Sequence, residues 1–171
     1  MGGRDFITLY IPKRIADEIR RRGLDIELFI IDSLSEKLKL DPQEEAAIYV
    51  ELAERFLDDA RRYIDQNDPV QASEKLYKVA EECIKALAIK FRTPESEEAR
   101  REGRWWIKLL SRAAKKLSSQ LSEPIISYGW SVGYDLHVWG FHEAALDIDA
   151  VKTTLNIIEQ MLVKTREIIK K

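Results

Sequence analysis

The chain has 171 residues, 45% of them hydrophobic and 34% charged, with a formal net charge of −2. That length suits one domain, or a main domain with a small module, and near-neutrality excludes a surface basic throughout that holds nucleic acid by its overall field. A single cysteine, Cys83, excludes an intramolecular disulfide and a cysteine metal cluster.

The opening residues lack the apolar core of a signal peptide, and no apolar run approaches a membrane span, so a cytoplasmic location is expected. Plentiful Lys, Arg, Glu and Ile with scarce Asn lean towards a thermophile. In "DFITLYIP", Ile7, Leu9 and Ile11 alternate with Phe6, Thr8 and Tyr10, a period of two that predicts a strand. Pro12 stops it, "KRIADEIRRRG" reads as a short helix ended by Gly23, and Asp25 caps a second helix that ends near Leu40. A lone strand leaves its backbone groups unpaired, so the expected partner is the same strand of a second copy. Ile7, Leu9, Ile11, Leu28 and Phe29 are the expected dimerisation residues.

From Asp41 onward the pattern is helical. Asp41–Pro42 and Asp68–Pro69 each open a long helix by cap and first-turn proline, and the tight "QNDP" turn sets the two antiparallel. Glu74 and Lys78 read as an i, i+4 pair on a solvated face, and Cys83 as a buried thiol in an apolar stripe. "RTPESEEARREGR" reads as a charged connection. A third long helix is expected from about Arg104, carrying Trp105 and Trp106. A fourth opens at Pro124, and a last one begins at Asp147 or Asp149. The predicted architecture is all-α: an up-down antiparallel bundle over 41–171, preceded by a strand-helix-helix arm over 1–40.

Two resemblances follow from these residues. The arm, over roughly Asp5 to Leu40, resembles the ribbon-helix-helix fold, whose paired strands read DNA. The resemblance implies Arg4, Thr8, Tyr10 and Lys13 as DNA-binding candidates, although Phe6, Thr8 and Tyr10 are not the side chains that usually read base edges. "DPVQASEKLYKVAEE", "GRWW" and "LHVWGFHE" together resemble the archaeal PaREP-type family. That resemblance implies a bundle similar to HEPN (higher eukaryotes and prokaryotes nucleotide-binding) domains. Many of these dimerise, pair with a nucleotidyltransferase-like antitoxin, or cleave RNA. The RNA-cleaving members carry Arg, four to six residues, then His. Here Trp130, Ser131 and Val132 stand at those positions before His137, and Asp135, Leu136 and His137 before His142. The motif is absent, and no catalytic residue is carried over.

"YDLHVWGFHE" gathers both histidines. Five residues apart, His137 and His142 are separated by about 140° on an unbroken α-helix, which argues against a shared metal, and no metal or cofactor is expected. With Glu143 as an orienting acid they remain candidates for acid–base chemistry. Arg104, Trp105, Trp106, Trp139 and His142 are candidates for a ligand pocket, because aromatic rings suit base stacking. The bland alternative is packing around a bend at Gly140. The sequence therefore points to a non-catalytic, dimeric binding or assembly protein, in a toxin–antitoxin or nucleic-acid setting. An RNA-processing or nucleotide-handling enzyme using His137 or His142 is the first alternative, and a ribbon-helix-helix DNA-binding regulator the second.

Overall fold

The computed structural model describes residues 6–24 and 26–171. The chain divides into a small N-terminal unit ending at Asp41 and a larger unit, Pro42–Lys171. The small unit holds α1 (Lys13–Arg21) and α2 (Ile26–Leu38).

No strand forms among the described residues, which corrects the expected strand-helix-helix arm. Residues 6–12 have no regular structure, and Ile7 and Tyr10 are 93% and 92% exposed. An alternating side-chain pattern does not make a strand unless a neighbouring strand pairs with it, and no strand stands beside it among the described residues. Leu9 and Thr8 are likewise exposed, and Ile11 is half-buried. Lys13 is spent on an exposed ion pair with Asp17 one turn on. With the strand goes the ground of the ribbon-helix-helix resemblance, and the DNA-binding candidates Thr8, Tyr10 and Lys13 are exposed side chains. Arg4 and the Asp25 cap lie outside the described residues, as does the Leu28 side chain. Phe29 is 40% exposed.

The large unit is a helical bundle of α3 (Pro42–Asp65), α4 (Pro69–Lys90), α5 (Pro94–Glu102), α6 (Ile107–Leu121), α7 (Pro124–Asp135) and α8 (Ile148–Lys170). A π-helical segment, Leu136–His142, continues α7 without a break. Four of these helices open on proline at the first position, where its missing N–H costs nothing. Asp68 accepts from Gln71 N at 3.0 Å, Thr93 from Ser96 N at 3.3 Å and Asp147 from Ala150 N at 2.8 Å, so three starts are capped by side chains. The charged connection is therefore a true helix, α5. It is held by Glu98 to Arg112 at 2.6 Å and by Glu95 to Lys116 on α6. The third long helix begins later than its aromatic pair suggests: Trp105 and Trp106 precede it, and Trp106 sits at its N-cap.

Helix α4 is the centre. Leu76, Val79, Ala80, Cys83, Ile84, Ala86, Leu87 and Ala88 are all fully buried, and α3, α6, α7 and α8 pack around them. Cross-links fix the directions. Arg61 meets Glu159 and Arg166 meets Glu54, so α3 and α8 are antiparallel. Lys90 Nζ donates to the carbonyls of Ile168 and Ile169 at 3.0 Å each, tying the C-terminal ends of α4 and α8 together.

Two glycines let α7 and its extension approach α4 closely. A Cβ on Gly133 would stand 2.6 Å from Ala80 Cβ, and one on Gly140 would stand 2.2 Å from Ser73 Oγ.

Candidate functional site

The π-helical turn is what builds the site. Its i→i+5 bonding is explicit in Glu143 N donating to Val138 O at 2.9 Å. An i→i+5 ladder stacks residues five apart, as an α-helix stacks residues four apart. His137 and His142, which an unbroken α-helix would separate, therefore share a face. Their Nε2 atoms lie 3.1 Å apart, and the rings meet edge to face at 4.4 Å between centroids.

On its other side His137 Nδ1 is 3.0 Å from Glu74 Oε2 of α4. A carboxylate only accepts, so Nδ1 carries the hydrogen and His137 Nε2 is left to pair with His142. Tyr77, one turn along α4 from Glu74, stacks on His137 at 4.1 Å, and Phe141 lies parallel to it at 6.0 Å. The Tyr77 hydroxyl is held in its neutral form: burial raises its pKa, and Glu81, Glu74 and Glu82 add to the rise. The stack continues through Trp130 to Tyr134, with Trp130 anchored by its indole N–H on Ser111 Oγ at 3.1 Å.

The outcome is a graded chain. Glu74 and His137 are mostly buried, at 19% and 16% side-chain exposure, while His142 is exposed to solvent. A proton on the Nε2–Nε2 axis is shared by two rings, one fixed by a carboxylate and one open to a ligand. The arrangement is that of an orienting acid, a relay and a terminal acid–base.

Further along α4 lies a second, closed polar cluster. Lys85 Nζ is 2.9 Å from Glu81 and 3.1 Å from Glu82, and Lys78 is 2.9 Å from Glu81. Burial would raise both carboxyls. At Glu81 the charges of Lys85 and Lys78 outweigh burial and hold its pKa low. At Glu82 burial wins over Lys85, the neighbouring Glu81 adds to it, and the pKa rises to about 7. One oxygen of Glu82 has no hydrogen-bond partner. Burial likewise raises the Cys83 thiol to about 12, which makes it a structural rather than a reactive cysteine.

The structure brings together His137 and His142 from the sequence candidates. Glu143 is exposed at the C-terminal end of the turn, and the acid within hydrogen-bond distance of His137 is Glu74. Lys78 pairs with Glu81, not with Glu74 as the i, i+4 spacing suggests. Arg104 stacks on Trp106 at 4.3 Å, and Trp106 Nε1 donates to Glu102 at 2.5 Å, which are contacts of the α5–α6 corner. The π-helical turn instead packs on α4 and α7, with Trp139 54% exposed beside it. The five ligand-pocket candidates thus divide between two places. Glu74 and Tyr77 are the functional side chains that sequence reasoning missed. The available signal was the spacing Glu74, Lys78, Glu81, Lys85 along a helix whose Leu76, Val79, Ala80, Cys83, Ile84 and Leu87 are apolar. Among the described residues no group of three or more His, Cys, Asp or Glu is placed to hold a metal ion, and no helix is long and apolar enough to cross a membrane.

The profile of the archaeal PaREP1/PaREP8 family matches residues 48–162, a span that includes Glu74, Tyr77, His137 and His142. The crystal structure of a protein from Sulfolobus solfataricus is similar, with a TM-score of 0.61 and 34% identity. The match covers 67% of this chain and 93% of that one. No curated protein matches the chain.

Proposed function

The chain belongs to the archaeal PaREP1/PaREP8 family, and from that premise we propose that its bundle carries an acid–base centre acting on a small substrate at His142. The observation behind this reading is the linear Glu74–His137–His142 chain. His142 exchanges a proton with the substrate, His137 takes or returns it, and Glu74 stabilises the positive charge that His137 then holds. Glu74 also fixes the His137 tautomer, the role a buried carboxylate plays beside a catalytic histidine.

Two measurements test it. In long-range proton–nitrogen spectra the neutral His137 ring is the Nδ1–H tautomer. In Glu74→Gln the tautomer of His137 is no longer fixed. A His137 tautomer that ignores that substitution would sink the reading. For activity, hydrolysis of p-nitrophenyl acetate is lost in His142→Ala and reduced in Glu74→Gln; equal rates in wild type and His142→Ala count against catalysis. The same assay run on RNA tests the RNA-processing alternative.

One observation favours a second, compatible reading of self-association. Ile7, Leu9, Tyr10, Ile15, Leu34 and Leu38 all expose half or more of their surface in a unit of about forty residues, a size at which a chain rarely buries a sufficient core alone. A second copy would cover these side chains without any strand. Tyr10→Glu with Leu38→Glu is expected to lower the mass seen by light scattering; an unchanged mass removes this reading.

A further inference from the structure

The outward face of α7 and its π-helical extension has a composition unlike the rest of the chain. Between Lys116 and Lys152 there is no lysine or arginine at all, although the chain as a whole is nearly neutral. The same stretch contributes Glu123, Asp135, Glu143, Asp147 and Asp149, of which Glu123 is paired with Lys164 of α8 at 3.3 Å. The flanking cation Lys152 is already near Asp149, at 3.8 Å.

Large aromatic side chains stand on this acidic face. Tyr128, Tyr134 and Trp139 are 55%, 37% and 54% exposed. Tyr128, Ser131, Asp135 and Trp139 follow one another at spacings of three or four residues, so they form one solvent-facing stripe opposite Gly129, Gly133 and Gly140, which face the core. Exposed rings beside the exposed Asp135 suit one kind of occupant. A guanidinium stacks its plane on an indole or phenol while its N–H groups reach a carboxylate. A phosphate backbone would meet the like charge of Asp135 at the centre of the stripe.

We propose that this stripe is a docking face for an arginine-rich segment of a protein partner, with Trp139 and Asp135 at its centre. It is distinct from the acid–base centre, and its test reads peptide binding and not histidine titration.

The probe is a fluorescein-labelled nona-arginine peptide, followed by anisotropy against the full chain. Saturable binding that weakens with added salt is expected. Asp135→Asn combined with Trp139→Ala should weaken it about tenfold, since a cation–π contact and a charge pair are lost together. Glu51→Gln combined with Asp65→Asn removes two exposed acids from α3 and leaves binding unchanged. Circular dichroism verifies that both variants stay folded, and Tyr128→Ser provides a milder change on the same stripe with a smaller loss. The proposal is overturned if nona-arginine does not saturate. It is equally overturned if the α3 variant weakens binding as much as the stripe variant, or if a decamer of RNA binds more tightly than the peptide.

Discussion

Helix α4 carries two polar clusters built from the same few residue types, and their fates differ. Near its N-terminal end, Glu74 reaches across to a histidine on another element, and the chain of bonds leads out to solvent. Two to three turns later, Glu81, Glu82 and Lys85 bond within their own helix and are sealed, with 9%, 0% and 4% of their side chains exposed. The first cluster has an exit for a proton and the second has none. What separates them is the neighbour. Beside Glu74 lies a π-helical turn brought close by Gly140, and Glu81, Glu82 and Lys85 must satisfy one another inside the core.

The comparison can be broken most violently at the sealed end. Lys85→Met leaves two buried carboxylates without their main counter-charge and should cost about 3–5 kcal/mol in urea unfolding. A loss under 1 kcal/mol would mean that water reaches the cluster. Next is Gly140→Ala. Its Cβ meets Ser73 Oγ at 2.2 Å, so the π-helical turn must lift from α4. About 1–3 kcal/mol of destabilisation is expected, together with loss of the fixed His137 tautomer. Unaltered histidine spectra in a destabilised Gly140→Ala would separate packing from the relay.

The sealed end also has a pH signature that the open end lacks. The folded-state pKa of Glu82 lies above its unfolded value of 4.5, at about 7. A group raised in this way contributes stability that is complete below the unfolded value and is lost as pH rises through the folded one. Wild type should therefore lose stability relative to Glu82→Gln between about pH 5 and pH 7. Parallel curves for the two proteins would contradict the assignment. The smallest effect belongs to Glu74→Gln. Its carboxylate is partly exposed, and the substitution should cost about 1 kcal/mol or less while releasing the fixed His137 tautomer. A large stability loss there would make Glu74 a packing residue.

The bundle was legible because its signals are local. Asp–Pro starts, apolar stripes and the "QNDP" turn act within a few residues, and the helices follow them closely. The strand was misread because alternation in "DFITLYIP" describes side chains, and a strand exists only through a second backbone. The site was half legible. Both histidines were noted, but at 100° per residue they point apart, and nothing local announces that the helix takes the wider turn from Leu136. Glu74 was assigned to Lys78 because spacing along one helix is visible in sequence and a contact from Glu74 to His137, 63 residues away, is not.

The π-helical turn has one more consequence, for how such a centre is gained or lost. A π turn is an α-helix that has accommodated one residue too many. Deleting a single residue between Leu136 and Phe141 would let the backbone relax to ordinary α geometry. The two histidines would then stand four residues apart, an interval that an α-helix also stacks on one face, so the pair can persist without the π turn. Residue identity alone therefore does not mark the centre in a related sequence. The interval matched to the turn does: five residues across a π turn or four across an α turn bring the histidines together, and a relative with the five-residue interval on an unbroken α-helix is expected to keep the bundle and lack the relay.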